Sequence, residues 1–414
     1  MKLETTVCVL GAGPAGSCAA LQLAKLGIDC IVVDKASFPR DKVCGDALSS
    51  KVLTQLKKID ENIAKRLQSS IFKKDSWGVT FIAPNNISLE IPYAPNYLEK
   101  KGDPGSFVCK RIDFDHFLFR EMKMNPGIHV YESIDIVKQV RTENGYLLSN
   151  ASGNFQVQAK MIIVANGAQS PFTKEIAGFK VEHKHYIAGI RAYYSGIKEI
   201  HDDNFIELHF LENVLPGYLW IFHLPNGEAN VGIGMLSKSV ARKKINLKKS
   251  LLDAVQNTPE LKDRFANANL LGKIQGYGLP LGSKKRKLHG DHYVLTGDAG
   301  FLIDPFSGEG IGNAIYSARI AAITVAEAIS RDDYSDNFLE RYDREVYRVL
   351  WPELQLSHKL QKLARSSWLF NFLLRLGSKN KQVKALMISM FHEVNIRKKL
   401  ASPMFYVKLL FNKS

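Results

Sequence analysis

Residues 5–35 read TTVCVLGAGPAGSCAALQLAKLGIDCIVVDK, and this stretch decides the fold. Val7, Val9 and Leu10 form a short buried strand, Ala15 to Lys25 a helix rich in small residues, and Ile31–Val33 a second strand. Between strand and helix stand Gly11, Gly13 and Gly16, in G-x-G-x-x-G spacing. Gly11 permits the tight turn, Gly13 lets the backbone approach a pyrophosphate, and Gly16 lets helix and strand pack closely. Pro14 and Ala15 lie at the start of the helix, where free N–H groups and the dipole favour a phosphate. Asp34, followed by Lys35, closes the second strand 18 residues after Gly16, where an acid can bind ribose hydroxyls. This is a dinucleotide site; NAD(P) and FAD are both open here.

Two later segments bear on the cofactor. Residues 161–170, MIIVANGAQS, are a buried strand ending in a small-residue turn at Asn166-Gly167. Residues 293–320, YVLTGDAGFLIDPFSGEGIGNAIYSARI, run from the strand Tyr293–Thr296 into Gly297-Asp298, and Gly308-Glu309-Gly310-Ile311 opens a long helix. An Asp at a strand end suits a ribityl chain, and a Gly-opened helix N-terminus suits the electron-rich edge of a flavin. Asp298 also reads as a helix cap. Arg111 and Asp115, in KRIDFDHFL, also read as a surface i,i+4 ion pair.

Together these motifs resemble the FAD-dependent oxidoreductases of the aromatic-hydroxylase and glutathione-reductase superfamily. Lys42-Val43-Cys44-Gly45-Asp46, the run Pro216–Phe222 (PGYLWIF) and Ala229–Gly234 (ANVGIG) narrow the resemblance to the geranylgeranyl reductase family. The resemblance covers roughly residues 1–330. It implies an α/β FAD-binding domain of the glutathione-reductase Rossmann type, an antiparallel β-sheet substrate domain and a C-terminal helical segment. The boundaries expected are 1–75, 107–180 and 285–334 for the first, 76–106 and 181–284 for the second, and 335–414 for the third. By resemblance, Gly11, Gly13, Gly16 and Asp34 hold the ADP half of FAD, Arg111 lies along the cofactor, and Asp298 binds the ribityl chain. Gly308, Gly310 and Ile311 face the pyrimidine edge, and Cys44 and Gly45 lie near the ring. Where many relatives carry Asp-Gly, this chain has Asn166-Gly167, which leaves direct reduction by NAD(P)H in question. The electron donor expected is NAD(P)H or reduced ferredoxin, the latter making an electron-donor protein a partner.

Residues 181–284 alternate as antiparallel strands studded with aromatics. Tyr218, Trp220 and Phe222 share one face of one strand. Such a face is either the core beneath a sheet or the wall of an apolar pocket. The resemblance implies the pocket, with Tyr277 and Phe306 joining it, because relatives place a lipid against this sheet. The insertion 76–106 carries Pro84, Pro92, Pro95 and Pro104. The scattered histidines carry no metal-ligand spacing, so no metal is expected.

Over 414 residues, 56 Lys and Arg against 41 Asp and Glu give +15, which points to an anionic partner. Residues 355–414 hold 12 bases and one acid, leaving +4 for the rest. WLFNFLLRL (368–376) and the helical spacing Val383, Leu386, Met387, Met390, Phe391 make this basic tail amphipathic. It therefore expects an anionic membrane surface, or else it caps the substrate domain. Lys284–Lys287 and Arg397–Lys399 lack interleaved aromatics, and no nucleic acid is expected. Five cysteines in no disulfide or zinc spacing, and a strand pattern from Val7 without a cleavage site, lead us to expect a reducing cytoplasm, and the basic tail adds the expectation of a peripheral place on membrane.

The function expected is reduction of isoprenoid C=C bonds, FAD supplying hydride from N5 and a side chain or water the proton. Cys44 is the candidate catalytic residue on the flavin face; it also reads as a small buried hydrophobe. One alternative is a flavin monooxygenase or halogenase-like enzyme on a lipophilic or carrier-bound substrate. Another is a non-catalytic flavin-bearing protein that binds lipid at a membrane.

Overall fold

Leu10 pairs with Val33 on one side and Val164 on the other, and Val164 pairs with Leu295, so four strand ends stand in one row. In the computed structural model, which describes residues 1–93 and 104–380, this row is the rim of a sheet. Its parallel strands are Lys2–Leu10, Cys30–Val33, Ile128–Tyr131, Gln156–Val164 and Tyr293–Leu295. Their apolar runs are continuous because both faces are covered. Val7, Val9, Met161 and Ile163 pack towards the helices Pro14–Lys25 and Ile311–Arg331. Cys8, Leu10, Ile162 and Val164 pack towards a layer holding Tyr146, Leu148 and Phe172. The first strand begins at Lys2, earlier than its apolar residues suggest, because Lys2–Thr5 pair with Gln156–Ala159 through backbone alone.

A second sheet of seven strands runs in the order Asn269–Pro280, Tyr186–Ser195, Glu228–Leu236, Tyr218–His223, Ile206–His209, Gly78–Ile82 and Ser88–Pro92. It is antiparallel except where Ile206–His209 runs parallel to Gly78–Ile82. Both strands of the 76–93 stretch thus extend the sheet formed by residues 186–280. Leu219 and Ile221 face the helices Leu247–Asn257 and Pro259–Phe265, giving a core with Leu251 and Leu261. Tyr218, Trp220 and Phe222 face the opposite way. Three short strands, Ala47–Ser49, Lys73–Ser76 and Ser106–Cys109, form a third sheet.

The helix Asp336–Leu363 follows, and Tyr342, Val346, Leu350 and Leu354 on it belong to the same core as Val7 and Leu23. This part of the chain is therefore built into the first layer, whereas the sequence reading set it apart from residue 335. The helix Ser367–Lys379 lies beyond it. Pro95, the amphipathic spacing Val383–Phe391 and the run Arg397–Lys399 lie outside the described residues. Among the described residues, no helix is long and apolar enough to cross a membrane.

Candidate active site

The aligned rim brings four distant motifs together. The chain leaves Leu10 into Gly11, Val33 into Asp34, Val164 into Ala165-Asn166, and Leu295 into Gly297-Asp298. Ligands of open α/β sheets bind at this carboxyl end of the strands. Here the rim opens into a cavity of about 1280 Å³ that continues across the aromatic face of the second sheet.

On the rim side the lining includes Gly11, Gly13, Pro14, Ala15, Asp34, Lys35, Cys44, Gly45, Arg111, Asn166, Gly167, Asp298, Gly308, Gly310 and Ile311. On the sheet side it includes Tyr218, Trp220, Phe222, Tyr277 and Phe306. Two expected cofactor residues stand behind the wall instead. A Cβ on Gly16 would fall 1.6 Å from the Gly11 carbonyl oxygen, so this glycine serves helix–strand packing. Gly297, at φ +54°, would meet Ala314 Cβ at 2.8 Å and turns the chain before Asp298.

The rim suits a dinucleotide. Gly11 adopts φ +97°, and a Cβ there would meet the Ala165 carbonyl oxygen at 2.7 Å. Gly13 is the N-cap of the Pro14–Lys25 helix and is open except for the Arg40 guanidinium, which a Cβ would meet at 3.4 Å. Asp34 holds the turn itself, accepting from Ala12 N at 2.6 Å and Ala36 N at 2.8 Å, and each oxygen retains a lone pair. Asn166 Oδ1 is buried without a hydrogen-bond partner, as expected of a polar atom placed for a ligand group. Asp298, expected to bind a ribityl chain, lines the rim and pairs with Lys42 Nζ at 3.1 Å, and that ammonium lies 5.2 Å over the Tyr277 ring.

Arg111 and Asp115 form a bidentate pair, Nε to Oδ1 and Nη2 to Oδ2 both at 2.7 Å, and Arg40 adds a third bond to Asp115 at 2.6 Å. The pair is fully buried, not the surface pair that i,i+4 spacing also allows. Burial works against the Arg111 charge, and Asp115 with the neighbouring Cys44 more than restores it, so its pKa is raised. Cys44 is half-buried, whereas the other four cysteines are buried.

The two linings meet at Cys44-Gly45. A Cβ on Gly45 would lie 3.1 Å from Phe222 Cε2 and 3.4 Å from Trp220 Nε1. Beyond the aromatic row the wall is apolar: Val79, Phe81 and Ile91 from the 76–93 strands, Leu208, and Phe370 and Leu374 from the Ser367–Lys379 helix. Phe370 packs on Phe210 at a centroid distance of 4.2 Å. Tyr218 Oη donates to the Ser307 carbonyl, tying the aromatic strand to the loop that carries Phe306 and Gly308.

Sequence reasoning missed the group behind that junction. Asp46 is fully buried in the left-handed region at φ +68°. Its Oδ2 accepts from Tyr193 Oη at 2.7 Å and Asn230 Nδ2 at 2.8 Å. Burial raises its pKa to about 6, with the Asn230 and Tyr193 hydrogen bonds opposing. The signal available was its place in the Lys42–Asp46 motif.

The FAD binding domain family matches residues 4–357. A menaquinone reductase of Mycobacterium tuberculosis is 30% identical over 323 residues, 76% of this chain and 75% of that protein. A digeranylgeranylglycerophospholipid reductase of Methanosarcina acetivorans is 30% identical over 358 residues, 85% of this chain and 82% of that protein. Among solved structures, a geranylgeranyl bacteriochlorophyll reductase-like protein of Thermoplasma acidophilum superposes with a TM-score of 0.80 at 23% identity, over 97% of this chain and 100% of that one. A flavin-dependent brominase superposes with a TM-score of 0.74 at 17% identity, over 94% of this chain and 93% of that one, a likeness of fold.

Proposed function

The chain belongs to the FAD binding domain family and, within it, to the geranylgeranyl reductase group, and from that premise we propose that it reduces carbon–carbon double bonds of an isoprenoid lipid. The observation that carries this reading is one continuous cavity, polar at the strand rim and apolar along the second sheet, with Cys44-Gly45 at the junction. The two lipids named for the relatives share an isoprenoid chain, and the apolar branch suits such a chain.

When bound, FAD supplies the hydride for one alkene carbon. The rim residues Gly11, Gly13, Asp34, Arg111, Asn166, Asp298 and Gly308–Ile311 would hold it. An unactivated alkene offers no carbonyl to polarise, so the protein contributes alignment, a dry wall and a proton for the second carbon. Tyr218, Trp220, Phe222, Tyr277 and Phe306 would fix the chain. Cys44, which lines the cavity at that junction, would be the side chain that acts on the flavin face. Electrons would come from NAD(P)H or from a ferredoxin-type donor protein.

Membrane docking belongs to the same reading. On the Ser367–Lys379 helix, Phe370 and Leu374 close the cavity while Trp368 is 73% exposed, so one short helix faces both the pocket and solvent. The basic residues of 355–414 would meet an anionic leaflet there.

The test is mass spectrometry of the purified protein for FAD and copurified lipid, followed by anaerobic turnover of a geranylgeranyl lipid. Gain of two hydrogens per bond is the expected product. A protein without FAD, or one whose reduced flavin transfers oxygen to substrate on admitting air, would overturn the reading.

A further inference from the structure

Trp220 of the aromatic wall, Asn230, Asp46 and Tyr193 are joined by a chain of hydrogen bonds. Trp220 Nε1 donates to Asn230 Oδ1 at 2.9 Å, and Asn230 Nδ2 donates to the Cys44 carbonyl at 2.8 Å and to Asp46 Oδ2 at 2.8 Å. Tyr193 Oη donates to the same Asp46 oxygen at 2.7 Å, and Arg111 N donates to Asp46 Oδ1 at 3.3 Å. Asn230 and Asp46 are both 0% exposed.

The orientation of the Asn230 amide is fixed by its partners. An indole offers only a donor, and the two groups on the other side are acceptors. A flipped amide would set N–H against N–H and oxygen against two oxygens. Asn230 thus reads the cavity wall with one atom and the Cys44–Asp46 turn with the other. The left-handed backbone at Asp46 brings its carboxylate back under that turn, and Cys109 N, donating to the Asp46 carbonyl at 3.0 Å, holds the far side.

We propose that Asn230 and Asp46 are positioning residues that clamp the Cys44-Gly45 turn to Trp220, so that the wall touching the lipid also sets where the Cys44 thiol stands. The clamp rests on the reductase reading for its purpose and on the hydrogen bonds for its existence. A buried polar set that is fully paired favours a single arrangement of the groups it joins.

Cys44 reports on its own position, because it is the one cysteine that is not buried. The experiment treats native FAD-loaded protein with iodoacetamide and follows each cysteine by peptide mass. Asn230→Leu removes three bonds, and loss of even two at the usual net value speeds Cys44 alkylation about tenfold or more. The four buried cysteines stay unmodified, and kcat on the lipid falls while KM holds. Asn230→Asp, which keeps the shape but faces oxygens with oxygen, behaves like the Leu variant. If Asn230→Leu opens all five cysteines, Trp220→Phe decides, since it removes a single donor and keeps a ring in the wall. Its expected effect is a smaller, selective rise at Cys44.

Alkylation at the wild-type rate in a folded Asn230→Leu or Trp220→Phe protein would overturn the proposal. So would an Asn230→Leu enzyme with unchanged kcat. If wild-type protein reduces no lipid, the function reading fails while the alkylation result still judges the clamp.

Discussion

Arg111 and Asp115, one helical turn apart, meet through two hydrogen bonds of 2.7 Å with their side chains 3% and 0% exposed. An exposed i,i+4 pair is worth about 0.5 kcal/mol, but removing one partner of a buried pair costs about 3–5 kcal/mol. Arg111→Ala should therefore lower the unfolding free energy measured by denaturant titration by that order, with loss of bound FAD, and Arg111→Lys should restore only part of it because an ammonium cannot make the fork. Burial alone would raise the Asp115 pKa; the Arg111 charge and hydrogen bonds, with Arg40, hold it below the usual value. The stability this group adds is thus complete above the unfolded pKa of about 3.9 and is lost as pH falls through the lower folded value. An unfolding free energy for Arg111→Ala within about 1 kcal/mol of wild type would contradict the burial argument.

The glycines of the first turn separate by what surrounds them. Gly16→Ala puts a methyl 1.6 Å from a backbone oxygen, which no rotamer relieves, and overpacking of that kind costs about 3 kcal/mol or more. Gly13→Ala meets only the end of the Arg40 side chain at 3.4 Å, so the apoprotein should fold normally. Its methyl stands where a phosphate would approach, and FAD affinity should fall about tenfold, or 1.4 kcal/mol. Thermal melts of apoprotein with flavin titrations check both halves.

These differences show what was legible in the sequence. A glycine at φ +97° beside a strand end is a local demand, and local demands leave a spacing that can be read. The alternation of Tyr218, Trp220 and Phe222 likewise gave their common face. Whether that face was core or wall depended on Val79, Ile91, Phe370 and Leu374, which are apolar residues from distant segments with no pattern that tells the two apart. Asn230 and Asp46 stand 184 residues apart, and no periodicity predicts their meeting. The Arg111–Asp115 spacing was visible, but its burial was not.

Glu207 accepts two bonds of 2.7 Å from Arg264 on the side of the second sheet away from the cavity, with His209 Nε2 at 3.0 Å. Glu207→Leu should cost about 3–5 kcal/mol by stranding the guanidinium, and Glu207→Leu with Arg264→Met should recover most of it. Denaturant midpoints around this double-mutant cycle give the coupling. The folded double variant should turn over lipid at the wild-type rate, and a slower rate would show that the pair reaches the active site.

Asp46 carries the opposite pH signature to Asp115. With burial raising its folded pKa from 3.8 to about 6, the native state keeps a proton that the unfolded chain releases. Its contribution is therefore greatest below the unfolded value, declines as pH rises through about 6, and by pH 7 amounts to a cost of about 3 kcal/mol. In Asp46→Asn this decline should vanish, so the difference in unfolding free energy from wild type should change by about 2 kcal/mol between pH 4.5 and 7.5. Parallel profiles for the two proteins would mean that Asp46 titrates normally.

The last helix makes a prediction about surfaces rather than cores. Trp368 is 73% exposed and stacks on Phe372 at 6.0 Å, while Phe370 and Leu374 line the cavity. Trp368→Ser removes no buried contact and should leave stability within about 0.5 kcal/mol of wild type. If this helix lies in an anionic interface, the same change should weaken binding to phosphatidylglycerol vesicles about tenfold, the worth of burying much of an indole. Phe370→Ser should do the reverse, leaving vesicle binding intact and weakening the lipid in the cavity. Sedimentation with vesicles at low and high salt separates the contributions, because the basic residues lose force within a Debye length as salt rises and the indole does not. Equal vesicle binding by Trp368→Ser and wild type would assign this helix to the cavity wall alone.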